Sequence, residues 1–146
     1  MRRLFIIRKD LNLSAGKLAA MCSHCSEEYF MTLLRNGYRE RLYTNNCIED
    51  QITIKIPATI FDEYINNSYV KTICEAKNLH HLNNAAAKAK ELGLVEGKDF
   101  GFINDKCLTE LAPENEDGTC TVGIWFAPLT EDISHQISKK YQLYRE

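Results

Sequence analysis

Residues 14–24, SAGKLAAMCSH, follow the apolar run LFII at residues 4–7 and a short polar connection. This order predicts a buried strand, a loop, and then a helix whose first turn carries Gly16 and Lys17. Ser14 is a favourable N-cap, because its hydroxyl can accept a hydrogen bond from a free amide at the helix start. Free amides, the helix dipole and a lysine together favour negative charge. The stretch therefore predicts a site for phosphate or for a developing oxyanion, with close approach at the glycine.

Length and composition predict one globular domain. The chain has 146 residues, of which 45% are hydrophobic and 26% charged, and a chain of this size can bury a core without covalent cross-links. No apolar run approaches the roughly 18 residues of a membrane helix, and the N-terminal run is too short for a signal peptide. We therefore expect a cytoplasmic protein with no membrane partner.

The charges are unevenly distributed along the chain. Residues 1–41 carry eight Lys and Arg and four Asp and Glu, a balance of +4, whereas residues 42–69 and 70–146 each balance at −3. The basic segment contains the turn with Gly16 and Lys17, so it permits contact with nucleic acid. A solvated surface with uneven charge explains the same pattern, and charge alone leaves both interpretations open.

Six cysteines are irregularly spaced, which in a cytoplasmic protein predicts reduced thiols. Cys22 and Cys25 form a C-x-x-C pair, but a second pair at the spacing typical of zinc sites is missing from the sequence. We expect these two thiols to be buried on a helix face rather than to serve metal or redox chemistry. The sequence thus indicates no metal and no organic cofactor.

Hydrophobic periodicity predicts strands that alternate with helices. Strands are expected at residues 3–8, 51–56, 69–75, 99–104 and 119–126, and helices at residues 14–36, 58–67, 79–92 and 130–142. Residues 37–50 are the segment expected to be disordered or inserted. This order predicts an α/β fold, a three-layer sandwich with a central mixed β-sheet of about four core strands and helices on both faces. The apolar stripe of the first helix is expected to face the core: Leu18, Cys22, Cys25, Tyr29 and Leu33.

Three motifs resemble the type 2 peptidyl-tRNA hydrolase family. The first comprises RKDL (8–11), GKLAA (16–20) and CSH (22–24). The second is DKCLTE (105–110), and the third is GTCTV (118–122) followed by Ala127 and Pro128. The resemblance covers about residues 3–36 and 70–143. It implies one domain of this type over residues 1–146, with an insertion at residues 42–69.

The resemblance implies hydrolysis, by an activated water, of the ester between a peptide C-terminus and the tRNA 3′ ribose. The partner would be the acceptor end of peptidyl-tRNA, and the family also suggests a homodimer. Asp105 would orient or deprotonate the water, and Lys17 with the helix amides would hold the oxyanion or the terminal phosphate. Thr109 and Thr121 would align water or ribose. The remaining implied substrate-binding residues are Ser14, Gly16 and His24.

Each of these residues also has an ordinary structural interpretation. Lys17 can be a solvated lysine, and Asp105 can be a turn residue at the end of a strand. Thr109 and Thr121 are common strand and turn residues. His24 is expected to pack or to hydrogen bond near the site rather than to act as a base.

The chain departs from the family pattern at four positions. Ala15 stands where the family usually has a lysine, Met21 where it has glutamine, and Cys107 and Leu108 where it has glycine and arginine. Each lost basic or amide group removes a contact to tRNA or substrate. The alternative to a hydrolase is therefore a catalytically inactive binding or regulatory domain on the same fold.

Overall fold

A five-stranded mixed sheet forms the centre of the protein, and a separate two-stranded sheet lies beside it. The computed structural model describes residues 1–145. Along the chain the elements are β1 (Arg2–Arg8), α1 (Ala15–Asn36), β2 (Tyr38–Thr44), β3 (Cys47–Thr53), a π-helix (Ile60–Ser68), β4 (Val70–Ala76), α2 (Leu79–Glu91), β5 (Phe100–Asp105), β6 (Cys120–Phe126), α3 (Glu131–Ser138) and β7 (Gln142–Leu143). The order in the central sheet is β5-β6-β1-β4-β7, with β1 and β4 parallel and the other neighbours antiparallel.

The strand β1 lies at the centre of this sheet and is buried along almost its whole length. Its side chains alternate between two cores, as the two-residue period of a strand requires. Leu4 and Ile6 pack in the core that includes α2 and α3, whereas Phe5 and Ile7 pack in the core that includes α1. The α/β class, with helices on both faces of a mixed sheet, is therefore confirmed.

The helix α1 begins and ends where the sequence predicts. The Ser14 hydroxyl accepts a hydrogen bond from the amide of Lys17 at 3.3 Å, and Gly37 follows the last turn. The buried side chains of α1 are Met21, Cys25 and Tyr29. Of the remaining predicted stripe residues, Leu18, Cys22 and Leu33 pack against the same core at partial exposure.

The fully buried side chain of Arg3 connects α1 to the sheet. Its guanidinium donates to the carbonyl oxygens of Phe126 at 2.6 Å, Cys25 at 2.9 Å and Ser26 at 3.2 Å. Burial lowers the pKa of Arg3, but an arginine remains charged in a protein. The cation is also close to aromatic rings, with centroid distances of 5.1, 5.6 and 5.9 Å to Phe5, Tyr29 and Phe30.

The expectation of a disordered loop over residues 37–50 is wrong. β2 and β3 form an antiparallel hairpin, paired from Tyr38 with Thr53 to Thr44 with Cys47. All of its strand residues are exposed, so cross-strand pairs rather than core burial stabilise it. Of the strand predicted at residues 51–56, only residues 51–53 lie in a strand, at the end of β3. The interpretation of residues 42–69 as an insertion stays a prediction.

Two further segments differ from expectation. The short helix expected at residues 58–67 is a π-helix over Ile60–Ser68. The last helix ends at Ser138 instead of residue 142, and the chain after it adds the two-residue strand β7 to β4. The central sheet thus has four long strands and one short one. Among residues 1–145, no helix is both long and apolar enough to cross a membrane.

Replacing Arg3 by methionine is expected to lower the free energy of unfolding by about 3 kcal/mol, because buried carbonyls lose their donor. Urea denaturation followed by Trp125 fluorescence measures this change. The matched control is Arg35→Met, because Arg35 is exposed and pairs with Glu28 on the surface of α1. The control is expected to change stability by less than about 0.5 kcal/mol. Equal stabilities of the two variants would contradict the role of Arg3.

Candidate active site

The N-terminus of α1, the end of β5 and the segment after β5 meet at one place. Nζ of Lys17 lies 2.6 Å from Oδ1 of Asp105 and 3.3 Å from Oγ1 of Thr109. The side chains of Lys17 and Asp105 are only 12% and 10% exposed. The fold therefore brings together the three residues that the sequence predicts as catalytic, although 88 positions separate the first two.

Both oxygens of the Asp105 carboxylate accept hydrogen bonds. Oδ1 faces Lys17, and Oδ2 accepts from the backbone amide of Cys107 at 2.9 Å. Burial alone raises the pKa of Asp105, but the contacts with the Lys17 ammonium and the Cys107 amide bring it below its usual value. The group is therefore ionised at neutral pH, a weak base and a strong hydrogen-bond acceptor.

The ion pair lines an open cavity of about 660 Å³. Lys17, His24 and Glu28 share the face of α1 that borders this cavity, and Leu108 lies at its rim with 84% exposure. His24 lies near the site, as expected, but it borders the cavity instead of packing in the core. Its spacing of seven residues from Lys17 places it on the face that borders the cavity, away from the core stripe, and the side chain is exposed.

Gly16 and Ser14 lie at the start of α1, as predicted. A methyl group built on Gly16 would meet nothing within 4 Å, and its backbone is not in the left-handed region. The fold therefore does not require glycine there and leaves this backbone open to approach. Ser14 is engaged within the protein, because its hydroxyl and its amide donate to the carboxylate of Glu110 at 2.6 and 3.0 Å.

The structure does not place Thr121 in the cavity. This residue lies on β6 opposite Asn104, and its hydroxyl donates to Oδ1 of Asn104 at 2.7 Å. The same hydroxyl accepts from the side-chain amide of Asn115 at 3.2 Å. Because Asn104 lines the cavity, Thr121 contacts a residue of the site without lining the cavity itself.

Sequence reasoning missed two acidic residues that hold the segment after β5. Glu110 binds Ser14, and Glu114 binds the nearly buried Arg8 at 2.6 and 3.2 Å. The hydrogen bond from Arg8 lowers the pKa of Glu114. Arg8 also forms a two-pronged ion pair with Asp10. The only signal in the sequence was the step from Arg8 to Asp10, since Glu114 lies 106 residues away.

The structure explains the surroundings of two positions, Met21 and Cys107, at which the chain departs from the family pattern. Met21 is buried in the core beneath α1 and does not line the cavity, so the expected loss of a substrate contact at that position is wrong. Cys107 has a φ of 58°, a left-handed conformation that favours glycine. The local backbone thus explains why glycine is usual at this place.

Comparison with known proteins shows the family of this chain. The Peptidyl-tRNA hydrolase PTH2 family model matches residues 1–144. A protein named peptidyl-tRNA hydrolase from Thermococcus sibiricus is 26% identical over 142 residues, which are 97% of this chain and 96% of that protein. The fold and the site, taken with these matches, define an α/β protein of the hydrolase class. The chain belongs to the peptidyl-tRNA hydrolase PTH2 family, and the resemblance drawn from its three motifs is confirmed.

Replacing Lys17 by methionine is expected to raise the pKa of Asp105, because the main lowering contact is lost while burial remains. A carbon-13 NMR titration of the carboxyl groups measures the change. Lys106→Met is the control, since Lys106 is an exposed neighbour that is not among the main influences on the Asp105 pKa. An Asp105 titration that stays the same in the Lys17 variant would argue against the ion pair.

Replacing Cys107 by glycine is expected to give a protein about 1 kcal/mol more stable than Cys107→Ala, because only glycine adopts a positive φ without strain. Both substitutions remove the thiol, so their difference isolates the backbone term. Thermal and urea denaturation provide the measurement. A glycine variant no more stable than the alanine variant would show that the left-handed conformation carries no strain.

Proposed function

We propose that this protein hydrolyses the ester between a peptide and the 3′ ribose of tRNA, with water as the nucleophile. One observation carries the proposal: the cluster of Lys17, Asp105 and Thr109 borders an open cavity in a member of the PTH2 family. The partner is the acceptor end of peptidyl-tRNA. We further propose that residues 1–146 act as one domain in this reaction and need no cofactor.

Asp105 orients the attacking water. Its lowered pKa favours this role over proton abstraction, because a weak base gains little from taking a proton near neutral pH. Each carboxylate oxygen has a second lone pair, so Asp105 can accept from water while it keeps Lys17 and the Cys107 amide. Thr109, which contacts the Lys17 ammonium, aligns the ribose or the water through its hydroxyl.

Lys17 and the first amides of α1 stabilise negative charge. The N–H groups of Ala15 and Gly16 lie in the first turn, where a helix provides no acceptor for them. They and the Lys17 ammonium can face the oxyanion of the tetrahedral intermediate or the terminal phosphate. Glycine at position 16 lets a ligand approach this backbone closely. His24 contributes to the RNA-binding rim, and Thr121 acts through Asn104.

The proposed hydrolysis needs only the ester and one water molecule as reactants. Water adds to the ester carbonyl carbon, and the electron pair moves to the carbonyl oxygen. The carbonyl then re-forms as the C–O bond to the ribose breaks. The proton lost by the water is recovered by the 3′ oxygen, which leaves as a hydroxyl. The products are a peptide with a free carboxyl group and an intact tRNA.

An inactive binding or regulatory domain is the second candidate. The specific observation in its favour is the rim of the cavity, where Leu108 is 84% exposed and brings no charge. Ala15, in the first turn of α1, brings no charge either. Release of N-acetylated amino acid from its tRNA ester distinguishes the two. Absence of turnover in a folded sample that still binds tRNA would support the binding domain.

Lys17→Ala and Asp105→Ala are each expected to lower kcat by on the order of 10² to 10³, the usual loss for one preorganised electrostatic group. The double variant is expected to lose far less than the product of the two, because the residues act as a pair. The ester-release assay gives the rates, and circular dichroism checks the fold of each variant. A fully active Lys17→Ala protein would overturn the site assignment.

Leu108→Arg is expected to lower KM for tRNA and to steepen its salt dependence, by a slope of about 1 for one added phosphate contact. Its kcat should stay within about twofold, because the rim does not touch the reacting ester. Leu108→Gln is the matched control, polar but uncharged, and should keep the original salt dependence. Equal salt slopes for the arginine and glutamine variants would place Leu108 outside the RNA path.

A further inference from the structure

We propose that Glu110 is a positioning residue, which completes the N-terminal cap of α1 from outside the helix and thereby holds Thr109 beside Lys17. This inference rests on the proposed function for its effect on rate. The contact itself belongs to the structure and can be tested separately.

The cap of α1 lacks an acceptor that helices often provide for themselves. In a capping box, a Glu or Gln three residues after the N-cap accepts from the N-cap amide. Here that third position is Lys17, which cannot accept a hydrogen bond and is engaged with Asp105. Because the proposed catalytic residue Lys17 occupies this position, the amide of Ser14 needs an acceptor from another part of the chain.

Glu110 supplies the missing acceptor. Its Oε2 accepts from the Ser14 amide at 3.0 Å, and its Oε1 accepts from the Ser14 hydroxyl at 2.6 Å. These bonds lower the pKa of Glu110, so the carboxylate is charged at neutral pH, which also suits the positive end of the helix dipole. Glu110 binds Ser14 and leaves the amides of Ala15 and Gly16 for a ligand.

The same contact restrains the segment that carries Thr109. Leu108, Thr109 and Glu110 are all exposed, so core packing does not fix their positions. Upstream, the amide of Cys107 is tied to Asp105, and the next ionic anchor downstream is Glu114 on Arg8. Between these points Leu111 packs against the core, and the Glu110 contact adds two charge-assisted hydrogen bonds directly beside Thr109.

A different effect of Glu110 predicts the opposite result. A carboxylate near Lys17 can also repel the phosphates of tRNA, and its removal would then lower KM and change the salt dependence. Positioning predicts a loss of kcat with KM and its salt slope unchanged. The division between kcat and KM therefore separates the two effects.

The test compares Glu110→Ala and Glu110→Gln with the control Glu116→Ala, which removes an exposed glutamate from the same loop. Glu110→Ala is expected to lower kcat roughly 10- to 100-fold, as misplacement of a reacting group does. Glu110→Gln should restore most of the rate, since its carbonyl can accept from the Ser14 amide while its NH₂ donates to the Ser14 hydroxyl. In a Thr109→Ala background, Glu110→Ala should have no further effect.

Amide hydrogen exchange of residues 106–112 provides a readout that needs no activity. Exchange there should increase in Glu110→Ala and stay unchanged in Glu116→Ala. An active wild-type protein with a fully active Glu110→Ala variant would overturn the positioning role and leave the proposed function intact. A wild-type protein without turnover would refute the proposed function. In that case hydrogen exchange alone decides the contact, and unchanged exchange in Glu110→Ala would overturn it.

Discussion

A buried cation that has no acidic partner among residues 1–145 constrains this fold. The guanidinium of Arg3 is held by carbonyl oxygens of α1 and β6 and by aromatic rings. A buried charge is tolerated only when its hydrogen bonds are all made. Any displacement of α1 along the sheet would break bonds at Cys25 and Ser26, so the helix has one favourable position. The aromatic rings of Phe5 and Tyr29 add cation–π attraction that water would otherwise weaken.

The position of α1 determines the geometry of the site. Once the middle of the helix is held by Arg3, its N-terminus must lie beside the end of β5, where Lys17 meets Asp105. The helix period then directs His24 and Glu28 toward the same cavity. The segment after β5 is attached at the cap of the helix and at Arg8. Contacts within the protein therefore hold the candidate site residues in place, which limits the ordering that binding requires.

The features of this structure that the sequence predicts are those that depend on neighbouring residues along the chain. The cap at Ser14 and the apolar periodicity of α1 predict the longest helix. The motifs that resemble the family indicate Lys17 and Asp105 as candidate catalytic residues. Of the hairpin of β2 and β3 only residues 51–53 were predicted as strand, because the rest of it has no buried face to create a pattern. The buried role of Arg3 was not predicted, since its carbonyl partners lie 22 to 123 residues away. Glu110 was missed for the same reason, because its partner is 96 residues away.

The order of strands in the central sheet has a consequence for how the protein is made. β1 is synthesised before the other strands of the sheet, but it pairs on one edge with β4 and on the other with β6. Its second edge cannot be covered until Cys120–Phe126 have been synthesised. Until then the nascent chain holds one edge of its central strand unpaired, a state that favours aggregation and engages chaperones.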